Sequence, residues 1–98
     1  MEDRVHALEK IWDAFERVKT FFGEKKVSAP ELVKLVANGN SGMEKLIGDE
    51  AKALTNIGNT FHIRHFETDR IEITDNKHID YLFYRMSSLI HLFLTELE

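Results

Sequence analysis

Near the C-terminus, apolar side chains recur at Ile79, Leu82, Phe83, Met86, Leu89, Ile90, Phe93, Leu94 and Leu97, with polar residues set between them. Steps of three and four residues put all of them on one broad stripe of an α-helix. So wide a stripe has to be covered from more than one side, which makes this helix the expected centre of the core. Asp75 stands where its side chain can cap the first turn.

The rest of the chain must supply the cover. Val5, Leu8, Trp12, Phe15, Val18 and Phe22 keep the same period, with Ile11 beside Trp12 and with Glu9, Asp13, Glu16 and Arg17 between them. This predicts a first helix from Val5 that stops near Gly23, ahead of a solvated turn at Glu24-Lys25-Lys26. Ser28-Ala29-Pro30-Glu31 is a start signal and predicts a short helix from about Ala29 to Ala37. The run Asn38-Gly39-Asn40-Ser41-Gly42 breaks it, and Ser41 with Glu44 repeats the capping pattern before Met43, Leu46 and Ile47. Gly48-Asp49 either interrupts that helix or caps another; the favoured reading is a new helix from Asp49 through Leu54 and Ile57 toward Arg64. Between the long helices, Ile71 and Ile73 alternate with Arg70 and Glu72 within Thr68 to Thr74, the period of extended chain. Phe61, Ile63 and His65 alternate as well, so a small hairpin turning at Glu67-Thr68-Asp69 competes with a lone extended segment.

The pattern predicts an all-α fold, a four- or five-helix bundle with a short extended segment or small hairpin before the last helix. A chain of 98 residues has room for one core, so residues 1–98 read as a single helical domain. A domain this small leaves much of its surface wet, and a homodimer is a natural way to bury more of it. No apolar run approaches the roughly 18 residues that cross a bilayer, and Met1-Glu2-Asp3-Arg4 lacks the apolar core of a secretory signal. The expectation is a cytoplasmic protein with no membrane partner. The absence of cysteine excludes disulfides, a thiolate nucleophile and sulfur-ligated zinc. A formal charge of −4 argues against coating nucleic acid, yet a local basic site for one or two phosphates remains open, with Arg64 and Arg70 as its candidates.

Chemistry, if present, concentrates between Asn56 and Glu67. In Phe61-His62-Ile63-Arg64-His65-Phe66-Glu67, an imidazole, a guanidinium and a carboxylate stand side by side. Together they can take a proton, stabilise an oxyanion and orient the base, although such clusters are also ordinary polar networks. His62 and His65 lie at i and i+3, so on a helix they could share a metal with Glu67, whereas on extended chain they point to opposite sides. Neither a metal nor another cofactor is expected. Arg85 and His91 are six residues apart in the last helix, far from stacked, and read as polar-face residues. His6 and His78 have no partner by spacing.

From Leu54 to Leu97, the text Asn-Ile-Gly-Asn-Thr-Phe-His-Ile-Arg-His-Phe-Glu-Thr-Asp, followed by a helix near Tyr81-Leu82-Phe83, resembles the abortive-infection (Abi-like) members of the HEPN superfamily. The resemblance covers nearly half the chain. It implies a four- or five-helix bundle, typically dimeric, in which an Arg and a His five to seven positions later act in metal-independent RNA cleavage across the dimer. The matching His is His65, and the place of the Arg is taken by Asn59, which can hydrogen-bond a phosphate but carries no charge. Arg64 would have to supply the charge. In that reading His65 is the general base on a ribose 2′-hydroxyl, Asn59 and Arg64 hold the phosphate, and Glu67 orients the imidazole. RNA is then the substrate and a homodimer the active form. The alternative is a non-catalytic dimerisation or interaction module of a prokaryotic defence or toxin–antitoxin type protein, with a protein partner or antitoxin, in which Arg64 and His65 pair with Glu67, Asp69 or Glu72 to pin the loop before the last helix. The same ending also fits the C-terminal part of a longer protein.

Overall fold

The first helix opens at Glu2 and buries Leu8, Trp12 and Phe15, the centre of its apolar stripe. The computed structural model describes residues 2–20, 25–64 and 67–97. Within them the chain forms four α-helices: α1 (Glu2–Lys19), α2 (Lys25–Ala37), α3 (Ser41–Thr60) and α4 (Asn76–Leu97). The hydroxyl and backbone N–H of Thr20 both donate to the Arg17 carbonyl and close α1. Phe22, Gly23 and Glu24, where the sequence places the end of the stripe and the stop, lie outside the described residues.

The helix α2 begins a turn earlier than Ser28-Ala29-Pro30-Glu31 suggests, which leaves Pro30 inside it. Proline forgoes one backbone hydrogen bond there. Burial of Leu32, Val33 and Ala37 holds the helix regardless, as α2 packs on both α3 and α4. Its end is as the sequence suggests: Asn38 and Gly39 take φ values of 51° and 81°, the left-handed region that Asn and Gly tolerate best.

Two expectations for α3 need correcting. It is one helix, not two, and it ends at Thr60, not near Arg64. A lone glycine within a helix costs only about 0.5–1 kcal/mol. Burial of Ile47, Ala51 and Leu54 on either side of Gly48 exceeds that, and Lys45 to Asp49 spans the site with an ion pair at 2.9 Å. The cap is Asn40, whose side-chain oxygen accepts from the Met43 N–H at 3.0 Å, so Ser41 lies within the helix. For α4, Asp75 caps as expected, accepting from the Lys77 N–H at 2.8 Å.

The core joins Leu8, Trp12 and Phe15 to Leu32, Ile47, Leu54, Ile79, Met86 and Phe93, and α1 makes its most extensive contact with α4. The α4 stripe is narrower than the sequence suggests, with Leu94 46% exposed. At Gly58 a helix backbone meets an indole: a Cβ there would lie 2.5 Å from Trp12 Nε1. Close approach is what the missing side chain permits. No described helix is long and apolar enough to cross a membrane.

Candidate functional site

The connector from Phe61 to Asp75 leaves α3 with Phe61 in extended conformation. It is organised by the carbonyls that a helix end leaves without partners. The Ile57 carbonyl accepts from the Phe61 N–H at 2.9 Å, the Thr60 carbonyl accepts from the Ile71 N–H at 3.0 Å, and the Gly58 carbonyl accepts from Arg70 Nη1 at 2.7 Å. The His62 N–H in turn donates to the Ile71 carbonyl at 2.6 Å. Phe61 and Ile71 therefore form an isolated parallel bridge. A hairpin would make this pairing antiparallel, so the hairpin is not formed; of the extended reading of Thr68 to Thr74, Thr68 and Asp69 lie in a turn and Arg70 in a bend, and only Ile71 is bridged.

Arg70 is the hub of this loop. Besides the Gly58 carbonyl, its Nη2 lies 3.2 Å from Glu67 Oε2, and its Nε lies 3.9 Å from Asp69 Oδ1. A cation at the C-terminal end of a helix also meets the favourable end of the helix dipole. The other carboxylate oxygen of Glu67, Oε1, is buried without a hydrogen-bond partner among the described residues.

Arg64 points elsewhere. Its Nε donates to Asp13 Oδ1 of α1 at 3.0 Å, and its side chain is only 18% exposed. It lies in the connector beyond α3. His65 itself, with Phe66, lies outside the described residues. Asn59 is exposed on the last turn of α3. The Glu67 N–H donates to the Arg64 carbonyl at 3.0 Å, which draws the two flanks of His65 together at the backbone while their side chains engage different partners. Arg64 pairs with Asp13, and it is Arg70 that takes Glu67 and Asp69 and pins the loop. Among the described residues, no group of three or more His, Asp or Glu is placed to hold a metal ion.

Ionic contacts outside the motif include two that tie down the helices. Glu50 of α3 and Arg85 of α4 form a two-pronged pair at 2.7 and 2.8 Å, each side chain a little over a quarter exposed. Hydrogen bonding to Arg85 holds the Glu50 carboxyl below its ordinary range, against the opposing effect of burial, and the same bond raises Arg85. No local spacing announces a pair thirty-five residues apart. Lys19 did carry a signal, because it falls four residues past Phe15 on the apolar stripe. It is 7% exposed, bonded to Glu16 at 2.9 Å and Thr55 at 3.2 Å, with its ammonium 4.5 Å above the Phe15 ring. It borders a groove of about 850 Å³ between α2 and α3, shared with Pro30, Val33, Lys52 and Thr55; Asn59, Arg64 and Glu67 do not line it.

Comparison with known proteins brings no match: no family model, no curated protein and no solved structure is significantly similar to this chain.

Proposed function

We propose that the chain is a non-catalytic helical interaction domain that works by self-association, in a protein of the defence or toxin–antitoxin type that the HEPN-like stretch suggests. The observation that carries this reading is the engagement of both guanidinium groups near the motif. Arg64 is tied to Asp13, and Arg70 is tied to Gly58 and Glu67. Gripping a phosphodiester would require one of them to leave a carboxylate, and loosening Arg70 would also release the end of α3. The exposed apolar side chains Leu46, Tyr81 and Met43 support the same reading, since such groups gain most from a partner surface.

A second reading, a metal-independent RNase with His65 as the base on a 2′-hydroxyl and Asn59, Arg64 and Glu67 around it, draws support from the backbone bond that holds Arg64 and Glu67 together across His65. One experiment separates the two. Purified protein is incubated with total RNA and a chelator, beside a His65→Ala variant of unchanged helicity. The interaction reading expects intact RNA from both. Cleavage by the parent and none by His65→Ala would overturn it in favour of the nuclease.

A further inference from the structure

The turn between α2 and α3 carries Asn38-Gly39, and Asn38 is the only one of the five asparagines that precedes a glycine. Both residues are exposed, and nothing lies within 4 Å of the place where a Gly39 side chain would begin. The backbone bonds on either side are made. The Asn38 N–H donates to the Leu35 carbonyl at 3.2 Å, and the Asn40 N–H donates to the Ala37 carbonyl at 3.0 Å. The Gly39 N–H between them has no acceptor among the described residues. A backbone nitrogen that is free of hydrogen bonds, bare of a side chain and joined to an asparagine is held beside that residue's amide carbon, so attack on it is intramolecular.

The other asparagines are placed differently. The Asn40 side-chain oxygen is held as the α3 cap by the Met43 N–H. Asn56 and Asn59 lie inside α3, where the N–H of the following residue belongs to the helical ladder. Asn76 precedes Lys77, whose N–H donates to Asp75 Oδ1.

We propose that Asn38 is a site of spontaneous covalent modification, with the Gly39 nitrogen as nucleophile and water as the only co-reactant. The nitrogen bonds to Asn38 Cγ, the Cγ–Nδ2 bond breaks, and the proton lost from Gly39 passes through solvent to the leaving nitrogen, which departs as ammonia. Water then opens the resulting cyclic imide at one of its two carbonyls. Breaking the bond to Cγ leaves aspartate at position 38. Breaking the bond to the main-chain carbonyl leaves isoaspartate, whose backbone runs through Cγ and is longer by one carbon. That extra carbon falls inside a closed turn, because the Asn40 N–H reaches back across Asn38-Gly39 to Ala37, and Asn40 in turn caps α3. Isoaspartate therefore loosens the cap and the joint between α2 and α3. The core cluster, which contains none of residues 38–40, stays closed.

The test incubates the whole chain in mildly alkaline buffer at body temperature and follows its tryptic peptides by mass spectrometry, beside a sample held unfolded in urea. The folded chain should lose the amide at Asn38 while Asn40, on the same peptide, keeps its own. Isoaspartyl methyltransferase should label the product, and Asn38→Gln, whose longer side chain closes to a less accessible ring, should remove the label. In the purified isoaspartate form, amide exchange at Asn40 and Met43 should accelerate while that at Leu54 does not. An Asn38 that survives in the folded chain but is lost in urea would mean that the turn shields the bond, and the site would be overturned. Aspartate without isoaspartate would point to direct hydrolysis and remove Gly39 from the chemistry. Unchanged exchange at Met43 would overturn the consequence for the α3 cap.

Discussion

Around Leu54, α3 is held mainly by apolar side chains, whereas one turn later its end is held by three carbonyl contacts, one of them to a guanidinium. In the first region Leu54 is fully enclosed among core residues that include Trp12 and Phe15. In the second, Arg70 and the Phe61–Ile71 bridge organise the chain, and Ile71 is itself 57% exposed. The difference is one of range. Apolar burial is non-directional and tolerates many neighbours, while the connector depends on particular donors meeting particular acceptors.

The sharpest test of that contrast is at Leu54. Truncation to alanine leaves a cavity in a closed site and should lower global stability by about 2–5 kcal/mol in denaturant unfolding. A cost under about 1 kcal/mol would mean that α3 is not anchored there. Gly58→Ala comes next. The added methyl meets Trp12, and the expected loss of about 1–3 kcal/mol from overpacking is partly offset by the roughly 1 kcal/mol that alanine gains over glycine in a helix. A stabilised variant would show that the indole can step aside.

These regions also differ in what a reader of the sequence can recover. The stripes of α1 and α4 and the break at Asn38-Gly39 follow from periodicity and turn chemistry, because those signals are local. The continuity of α3 through Gly48 leaves no local signal, because a breaker residue carries no trace of the burial on either side of it. At the candidate site the residue types near Asn59 to Glu67 were legible, but their partners were not. Arg64 meets Asp13 fifty-one positions away, and Arg70 reaches back twelve positions to Gly58. Nothing in the spacing of a motif encodes the far end of such a contact.

On the polar side of the contrast, Arg70→Ala should cost about 1–3 kcal/mol, since it strands the Gly58 carbonyl and leaves a mostly enclosed Glu67 without its cation. The more telling readout is local. Amide exchange at His62 and Ile71, which make the bridge, should accelerate more than at Leu54 or Met86. Uniform acceleration would mean that connector and core unfold as one unit, and the distinction between them would fail.

The smallest effect expected lies between the two regimes, at the Glu50–Arg85 pair, which is polar like the connector but joins two core helices. Its sign follows from the lowered titration of Glu50. A carboxyl that ionises more easily in the folded state than in the unfolded chain adds stability above its ordinary value of 4.5 and loses that contribution as pH falls through its folded-state value. Asp49 is lowered too, by Lys45, but it is fully exposed, so added salt screens its share while the partly enclosed pair persists. At moderate salt, stability followed downward from that pH should therefore fall further in the parent than in Glu50→Gln, and the gap between them should close once Glu50 is protonated. Parallel curves would show that the pair joins α3 to α4 without stabilising either, leaving apolar packing alone to set their spacing.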